Sequence, residues 1–261
     1  MARVIKLLLY YFASQLCATS LALAGYAGWH YIKSGTLLVE WGLPFSLSLA
    51  ANIASIAFMV WILLRNKYLI IDKEAINPGK PTNILLYSAI GITAMIWLNF
   101  ISDIMDLPDW FKSTFSMMQE NIVGIITMSI IAPIFEEMLF RGAIEGHLLN
   151  KWKNPRHAIF VSALIFGIVH LNPAQMLFAF LFGLILGDIY FRTRSLTAVI
   201  ILHFINNTIS VIIMFLFPEY DKLTDLLGFN TMACLSLISF IAFIFLMKIF
   251  MNRFSNKAIT D

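Results

Sequence analysis

Eight polar residues of catalytic type fall in three stretches that are otherwise apolar. Glu136, Glu137, Arg141 and Glu145 lie in the first, His170 ends the second, and His203, Asn206 and Asn207 lie in the third. These types suit hydrolysis of an amide. A Glu and a His can hold and deprotonate a water, while a second His with an Asn can donate to the developing oxyanion. Glu136, His170 and His203 could equally form a three-ligand zinc site with an open water position. The zinc-protease signature His-Glu-x-x-His is absent, so the residue types leave both chemistries open.

Helical spacing sorts the set further. Glu137, Arg141 and Glu145 fall at i, i+4 and i+8, and Glu four residues before Arg is the favourable order for an ion pair on one face. They read as a structural ladder, with Glu137 and Arg141 as its main pair. Glu136 points roughly 100° away and has no partner on its own helix. In low dielectric a carboxyl group holds its proton more readily, which suits a general base or acid working near neutral pH. His203 and Asn207 are i, i+4 on one face, with Asn206 on the neighbouring edge. Asp188 and Arg192 repeat the spacing as a local ion pair. Pro133 removes a backbone hydrogen bond one turn before Glu137 and can kink the helix or open space beside it.

The elements that carry these residues are membrane helices. The chain is 60% hydrophobic and 13% charged, where a soluble domain carries about 25% charged residues, so the fold class is all-α and polytopic, embedded in a lipid bilayer. Eight apolar segments run roughly 5–28, 43–64, 83–101, 122–148, 156–171, 174–191, 196–217 and 231–250. No soluble module separates from them, so residues 1–261 read as a single membrane domain with its catalytic helices in about 122–217. The first segment also resembles a cleavable signal peptide through Arg3, Lys6 and Ala22-Leu23-Ala24, but its apolar run continues to Gly28, which favours a retained helix. Counted in alternate loops, fourteen Lys and Arg residues, from Arg3 to Lys257, fall on one side. Only Lys33, Lys112 and Lys222 fall on the other, and Arg141 completes the eighteen. Both termini are therefore expected in the cytoplasm. A net charge of +3 with no basic run argues against nucleic acid. Cys17 and Cys234 read as inert core thiols.

Two connections have character. The fifth and sixth segments form a tight hairpin about Asn172-Pro173, and the fifth spans roughly 24 Å at ~1.5 Å per residue, short of the ~30 Å hydrocarbon core. Its tip is expected within the membrane domain, where irregular backbone must be covered by protein or line a wet cavity. The small residues Gly167, Ala174, Gly183 and Gly187 are expected to help shape such a cavity. The loop before the fourth segment, with Asp103, Asp106 and Asp109, leads through Pro108 and Trp110 into an amphipathic helix at the membrane interface.

Three motifs in order give the chain a family resemblance. Glu136, Glu137 and Arg141 make E-E-x-x-x-R, Phe166 and His170 make F-x-x-x-H, and His203 and Asn207 make H-x-x-x-N. In these the chain resembles the CAAX protease and bacteriocin-processing (Abi) family of intramembrane endopeptidases. The resemblance covers about residues 130–210. It implies an eight-helix membrane fold and peptide-bond hydrolysis, with Glu136 and His170 activating water and His203 and Asn207 stabilising the oxyanion. Glu137 and Arg141 would hold the helix in place. It leaves the cofactor open between zinc and a metal-free glutamate mechanism. The implied substrate is a peptide or membrane-associated protein, and the short loops fit a compact member in a prokaryotic inner membrane.

Two other classes compete. A proton- or ion-coupled transporter could use the same buried groups as a relay, although no internal repeat of the kind such folds show is present. A non-catalytic immunity or scaffold protein could retain the fold. A single catalytic site also requires depths to converge: counted from the helix ends, Glu136 and His170 lie roughly 18–21 Å deep and His203 only about 12 Å.

Overall fold

The structure, a computed structural model, describes residues 1–36 and 42–254, so Lys257 lies outside the described residues. It is all-helical, with seven helices long and apolar enough to cross a membrane and one shorter apolar helix. The protein is a polytopic membrane protein. In chain order the spans are α1 (Ala2–Ser34), α2 (Phe45–Arg65), α3 (Pro81–Met105), α5 (Ile122–Lys151), α7 (Pro173–Thr193), α8 (Leu196–Leu216) and α10 (Phe229–Arg253), with the shorter α6 (Pro155–Ile168). Two brief helices, α4 (Lys112–Gln119) and α9 (Leu223–Leu227), lie in the connections. Each of the eight expected segments is a helix.

The ends follow from local chemistry. Pro81, Pro155 and Pro173 open α3, α6 and α7, where a missing N–H costs nothing. The Asn121, Asn154 and Ser195 side chains accept from the first free backbone N–H groups of α5, α6 and α8. α1 runs unbroken through Ala22-Leu23-Ala24 and stops at Gly35, whose left-handed φ of 71° lets its N–H reach the Tyr31 carbonyl at 2.8 Å.

The chain divides into two compact units, residues 1–69 and residues 70 onward. In the first, α1 packs on α2, with Ser14 Oγ and Ser55 Oγ hydrogen-bonded at 3.0 Å. In the second, α5 is enclosed by α6 and α8, α6 pairs closely with α7, and α3 packs on α7, α8 and α10. This arrangement brings the polar residues of α5, α6 and α8 together.

α5 is not a uniform α-helix. Thr127–Ile131 and Met138–Glu145 are π-helical, and the α-helical Ala132–Glu137 lies between them. Such insertions widen the helix and are frequent at functional sites.

Several expectations change here. Gly167, Gly183 and Gly187 do not open a cavity. A Cβ at Gly167 would stand 2.8 Å from the Met176 carbonyl, one at Gly183 3.2 Å from Arg141 Nη2, and one at Gly187 2.8 Å from Glu145 Oε2. Their smallness lets backbone approach backbone or buried charge, as expected where small residues mediate membrane-helix packing. Cys17 and Cys234 are exposed on α1 and α10 rather than in the core, as an apolar thiol can be where hydrocarbon is the solvent. α6 ends at Ile168, so His170 sits in the turn beyond the helix.

The hairpin tip is covered as the shortness of α6 requires. Asn172 is fully buried, its amide donates to Asp109 Oδ1 at 2.9 Å, and its Oδ1 accepts from the Trp110 N–H at 3.0 Å. The Ala174 N–H adds a bond to the Pro108 carbonyl. Thus the loop before α4 folds down onto the turn that carries His170.

Candidate active site

Glu137 is the best-connected side chain in α5. It is fully buried, with Arg141 Nη1 donating to Oε1 at 3.2 Å and Arg141 Nε lying 3.2 Å from Oε2. Arg141 is buried as completely. Its Nη2 donates to the Gly183 carbonyl at 3.2 Å, and its guanidinium lies 4.3 Å over the Phe166 ring. The i, i+4 pair expected from the sequence is therefore present, stacked on an aromatic face that favours a cation.

The sequence did not reveal the third partner of Glu137. His203 Nδ1 lies 2.7 Å from Glu137 Oε1. A carboxylate there accepts, so the hydrogen sits on Nδ1 and the ring is held in one orientation. The opposite nitrogen, Nε2, lies 3.8 Å from Glu136 Oε2. That gap exceeds a direct hydrogen bond and is short enough to place both groups on one reacting molecule. α5 and α8 thus bring His203 level with the adjacent glutamates, and the difference in depth inferred from the helix ends is closed.

Glu136 and Glu137 differ in access. The Glu136 side chain keeps 24% of its surface and Glu137 keeps none. His170 is half-buried, and its Nδ1 lies 2.7 Å from the Phe166 carbonyl. Facing a carbonyl, Nδ1 must donate, which leaves Nε2 as an acceptor in the neutral ring. Phe166 packs edge-to-face against His170 (4.9 Å between centroids) and against His203 (5.9 Å), so one ring fixes both imidazoles. In the sequence Phe166 stands only as a letter of the F-x-x-x-H motif. Its i, i+4 spacing to His170 was the available signal.

Asn207 is tied to a carbonyl that the π-helix exposes. The Ala132 N–H reaches back five residues to the Thr127 carbonyl. Continued to the next residue, the same pattern would pair Pro133 with Met128, but proline has no N–H to give. The Asn207 amide supplies the missing donor, at 3.0 Å from the Met128 carbonyl. Its Oδ1 accepts from Asn206 Nδ2 at 3.0 Å. One amide hydrogen of Asn207 stays available, since an –NH₂ group carries two.

Glu145 does not join the ladder. It is fully buried, yet neither carboxylate oxygen accepts a hydrogen bond. Asp188 and Arg192 form the expected local ion pair at 2.8 Å.

Nor do the residues form the three-ligand zinc set that their types allow. Among the described residues, no three His, Cys, Asp or Glu side chains are placed to share an ion.

The same segment matches known proteins. Residues 118–209 fit the model of the Rce1-like type II CAAX prenyl endopeptidase family. Over this stretch the chain is similar to that family. It is similar to YdiL of Bacillus subtilis, whose name describes it provisionally as a membrane peptidase, with 38% identity over 99 residues (38% of this chain, 40% of that protein). It is also similar to the membrane-embedded CAAX protease MroQ of Staphylococcus aureus, with 36% identity over 105 residues (38% of this chain, 42% of that protein). A Lactococcus lactis UPF0177 protein from an abiGi 5′ region is 36% identical over 93 residues (35% of this chain, 38% of that protein). The matched region thus spans about two fifths of each relative. No solved structure matches the chain. The matched segment contains every residue of the site, and α1 and α2 lie outside it.

Proposed function

We propose that this protein is an intramembrane endopeptidase that hydrolyses a peptide bond in a peptide or membrane-associated protein. The observation that carries this reading is the convergence of Glu136 Oε2 and His203 Nε2 to 3.8 Å from two different helices, with His203 fixed from behind by Glu137. In the proposed reaction Glu136, with His170 Nε2 as a second acceptor, removes a proton from water. The new hydroxide bonds to the scissile carbonyl carbon, and the C=O electron pair moves onto oxygen. The charged form of His203 donates through Nε2, and the spare Asn207 amide hydrogen adds a second donor, so the oxyanion meets two fixed dipoles. Collapse of the intermediate breaks the C–N bond, and the proton held by Glu136 passes to the leaving amine. No step is routed through a metal ion.

The excess of Lys and Arg in alternate loops supports an orientation with the first and last spans starting and ending in the cytoplasm. The α4 face is then extracytoplasmic. Glu137 and Arg141 are positioning residues in this scheme.

The test needs no known substrate. Membranes from cells expressing the wild type or Glu136→Gln at equal abundance are compared by mass spectrometry of protein N-termini. New N-termini within or beside membrane segments, present with the wild type and missing with Glu136→Gln, are expected. Identical N-termini in the two samples overturn the proposal.

A further inference from the structure

A cavity of ≈ 420 Å³ opens on the face that carries α4, within the unit that holds the candidate site. Its volume is in the range of ligand sites, about 300–1,000 Å³. Asn99 and Asp103 of α3, Lys112 of α4, Glu120 at its end, and Ser210 of α8 are among its walls, and the α8–α9 connection adds Asp221.

Two features connect this cavity to the catalytic residues. Ser210 is three residues beyond Asn207 on α8, and its hydroxyl donates to the Asn206 carbonyl at 3.0 Å. Asp109, also on the cavity wall, holds Asn172, two residues from His170. The cavity therefore adjoins both the His203–Asn207 helix and the His170 turn. One helical turn from Ser210, buried Asn206 keeps an Oδ1 with no partner.

The charge of the cavity selects its ligand. Both of its lysines are engaged: Lys112 with Asp221 at 2.5 Å, and Lys222 with Asp106. Asp103, Asp109 and Glu120 line the same space, and among the described residues none of them forms a direct ion pair, although Lys222 is near enough to act on Asp103. Asp103 and Asp109 accept from backbone N–H groups, of Thr224 and Phe111. The cavity is thus anionic after its own cations are counted, and complementary potential steers and retains an oppositely charged partner.

We propose that this cavity is a docking subsite for a positively charged segment of the peptide substrate, bearing Lys, Arg or a free amino terminus, beside the bond to be cleaved. The inference rests on the endopeptidase reading for the word substrate, while the binding itself can be measured without cleavage. The Glu136→Gln protein, which cannot turn a peptide over, is placed in nanodiscs of neutral phosphatidylcholine. Fluorescence anisotropy follows two dye-labelled probes, a lysine–serine peptide and its glutamate–serine counterpart. Saturable binding of the lysine peptide alone is expected, weakening as ionic strength rises. Glu120 is exposed, so Glu120→Lys should fold normally and weaken binding at least tenfold. Lys112→Glu, which releases Asp221 and adds a negative charge, should strengthen it.

Equal binding of the two peptides, no binding of either, or indifference to both substitutions overturns the proposal. Identical N-termini in wild-type and Glu136→Gln membranes, with retained lysine-peptide binding, would overturn the endopeptidase reading instead, so the two failures are distinguishable.

Discussion

On one face of α5, Glu137 is sealed from solvent and contacts Arg141 and His203. On the adjoining edge, one residue earlier, Glu136 keeps a quarter of its surface and approaches the far nitrogen of that same histidine. The two carboxylates share a sequence neighbourhood and a depth, and a helical step of about 100° gives them different work. A sealed carboxylate held by an ion pair and a histidine is a fixed part of the frame. In the proposed mechanism the one that retains access and a distant partner carries the proton. His203 joins the two regions, so the packed side sets the geometry in which the open side would react.

The largest test of this comparison is a matched pair of substitutions. Glu136→Gln preserves shape and removes the base, so cleavage should fall by about 10²–10⁴-fold with an unchanged thermal midpoint. Glu137→Gln should lower both cleavage and stability, because Arg141 and His203 lose a shared anion. Turnover of a substrate found by N-terminal mass spectrometry and thermal unfolding in detergent give the two readouts. Equal destabilisation by the two changes would erase the distinction between the regions.

Arg141→Leu probes the sealed region alone. Breaking a buried pair by removing one partner costs about 3–5 kcal/mol, because the other charge stays buried. Glu137 would keep only His203, and the Gly183 carbonyl would lose its donor. A loss below about 1 kcal/mol would mean that the ion pair does not hold α5 in place. Replacing Arg141 with Lys should recover only part of the stability, since an ammonium lacks the planar fork and stacks less well on Phe166.

A smaller effect is expected at the hairpin tip. Asn172→Ala leaves the Trp110 N–H and one acceptor of Asp109 without their partner. An unsatisfied buried group costs about 1–3 kcal/mol. Because His170 lies two residues away, cleavage should fall more than the stability change accounts for. An unchanged rate at equal protein abundance would separate the α4 loop from the placement of His170.

Much of this arrangement was legible in the sequence. The eight helices announce themselves through length and hydropathy, and the Glu137–Arg141 pair through i, i+4 spacing, because both are local properties. The Glu137–His203 bond was not legible, since it depends on how α8 rotates against α5. The same limit hid the Asn172 clamp, whose partners are more than sixty residues away. The π-helical stretches escaped for a different reason. Register changes within a helix leave the apolar pattern almost intact, and Pro133 hints only at a disturbed hydrogen bond. The glycines misled because a small residue leaves space in isolation and admits a neighbour in a packed bundle.

The least expected behaviour belongs to Glu145. Its spacing places it on the Glu137–Arg141 ladder, yet the guanidinium donors of Arg141 go to Glu137 and Gly183, and both Glu145 oxygens lack a hydrogen-bond donor. It is seated against Gly187, where even a Cβ would come within 2.8 Å of Oε2. A buried carboxyl group that accepts no hydrogen bond gains little from its charge, and replacing it with a neutral group of the same shape removes a desolvation penalty. Glu145→Gln should therefore leave cleavage unchanged and hold stability within about 1 kcal/mol of wild type, with any shift towards greater stability. Gly187→Ala should do the reverse, overpacking the seat at about 1–3 kcal/mol. Unfolding of the two variants side by side decides the matter. If Glu145→Gln is the more damaging, Glu145 is a working rung after all, and the sealed region extends two turns along α5 instead of one.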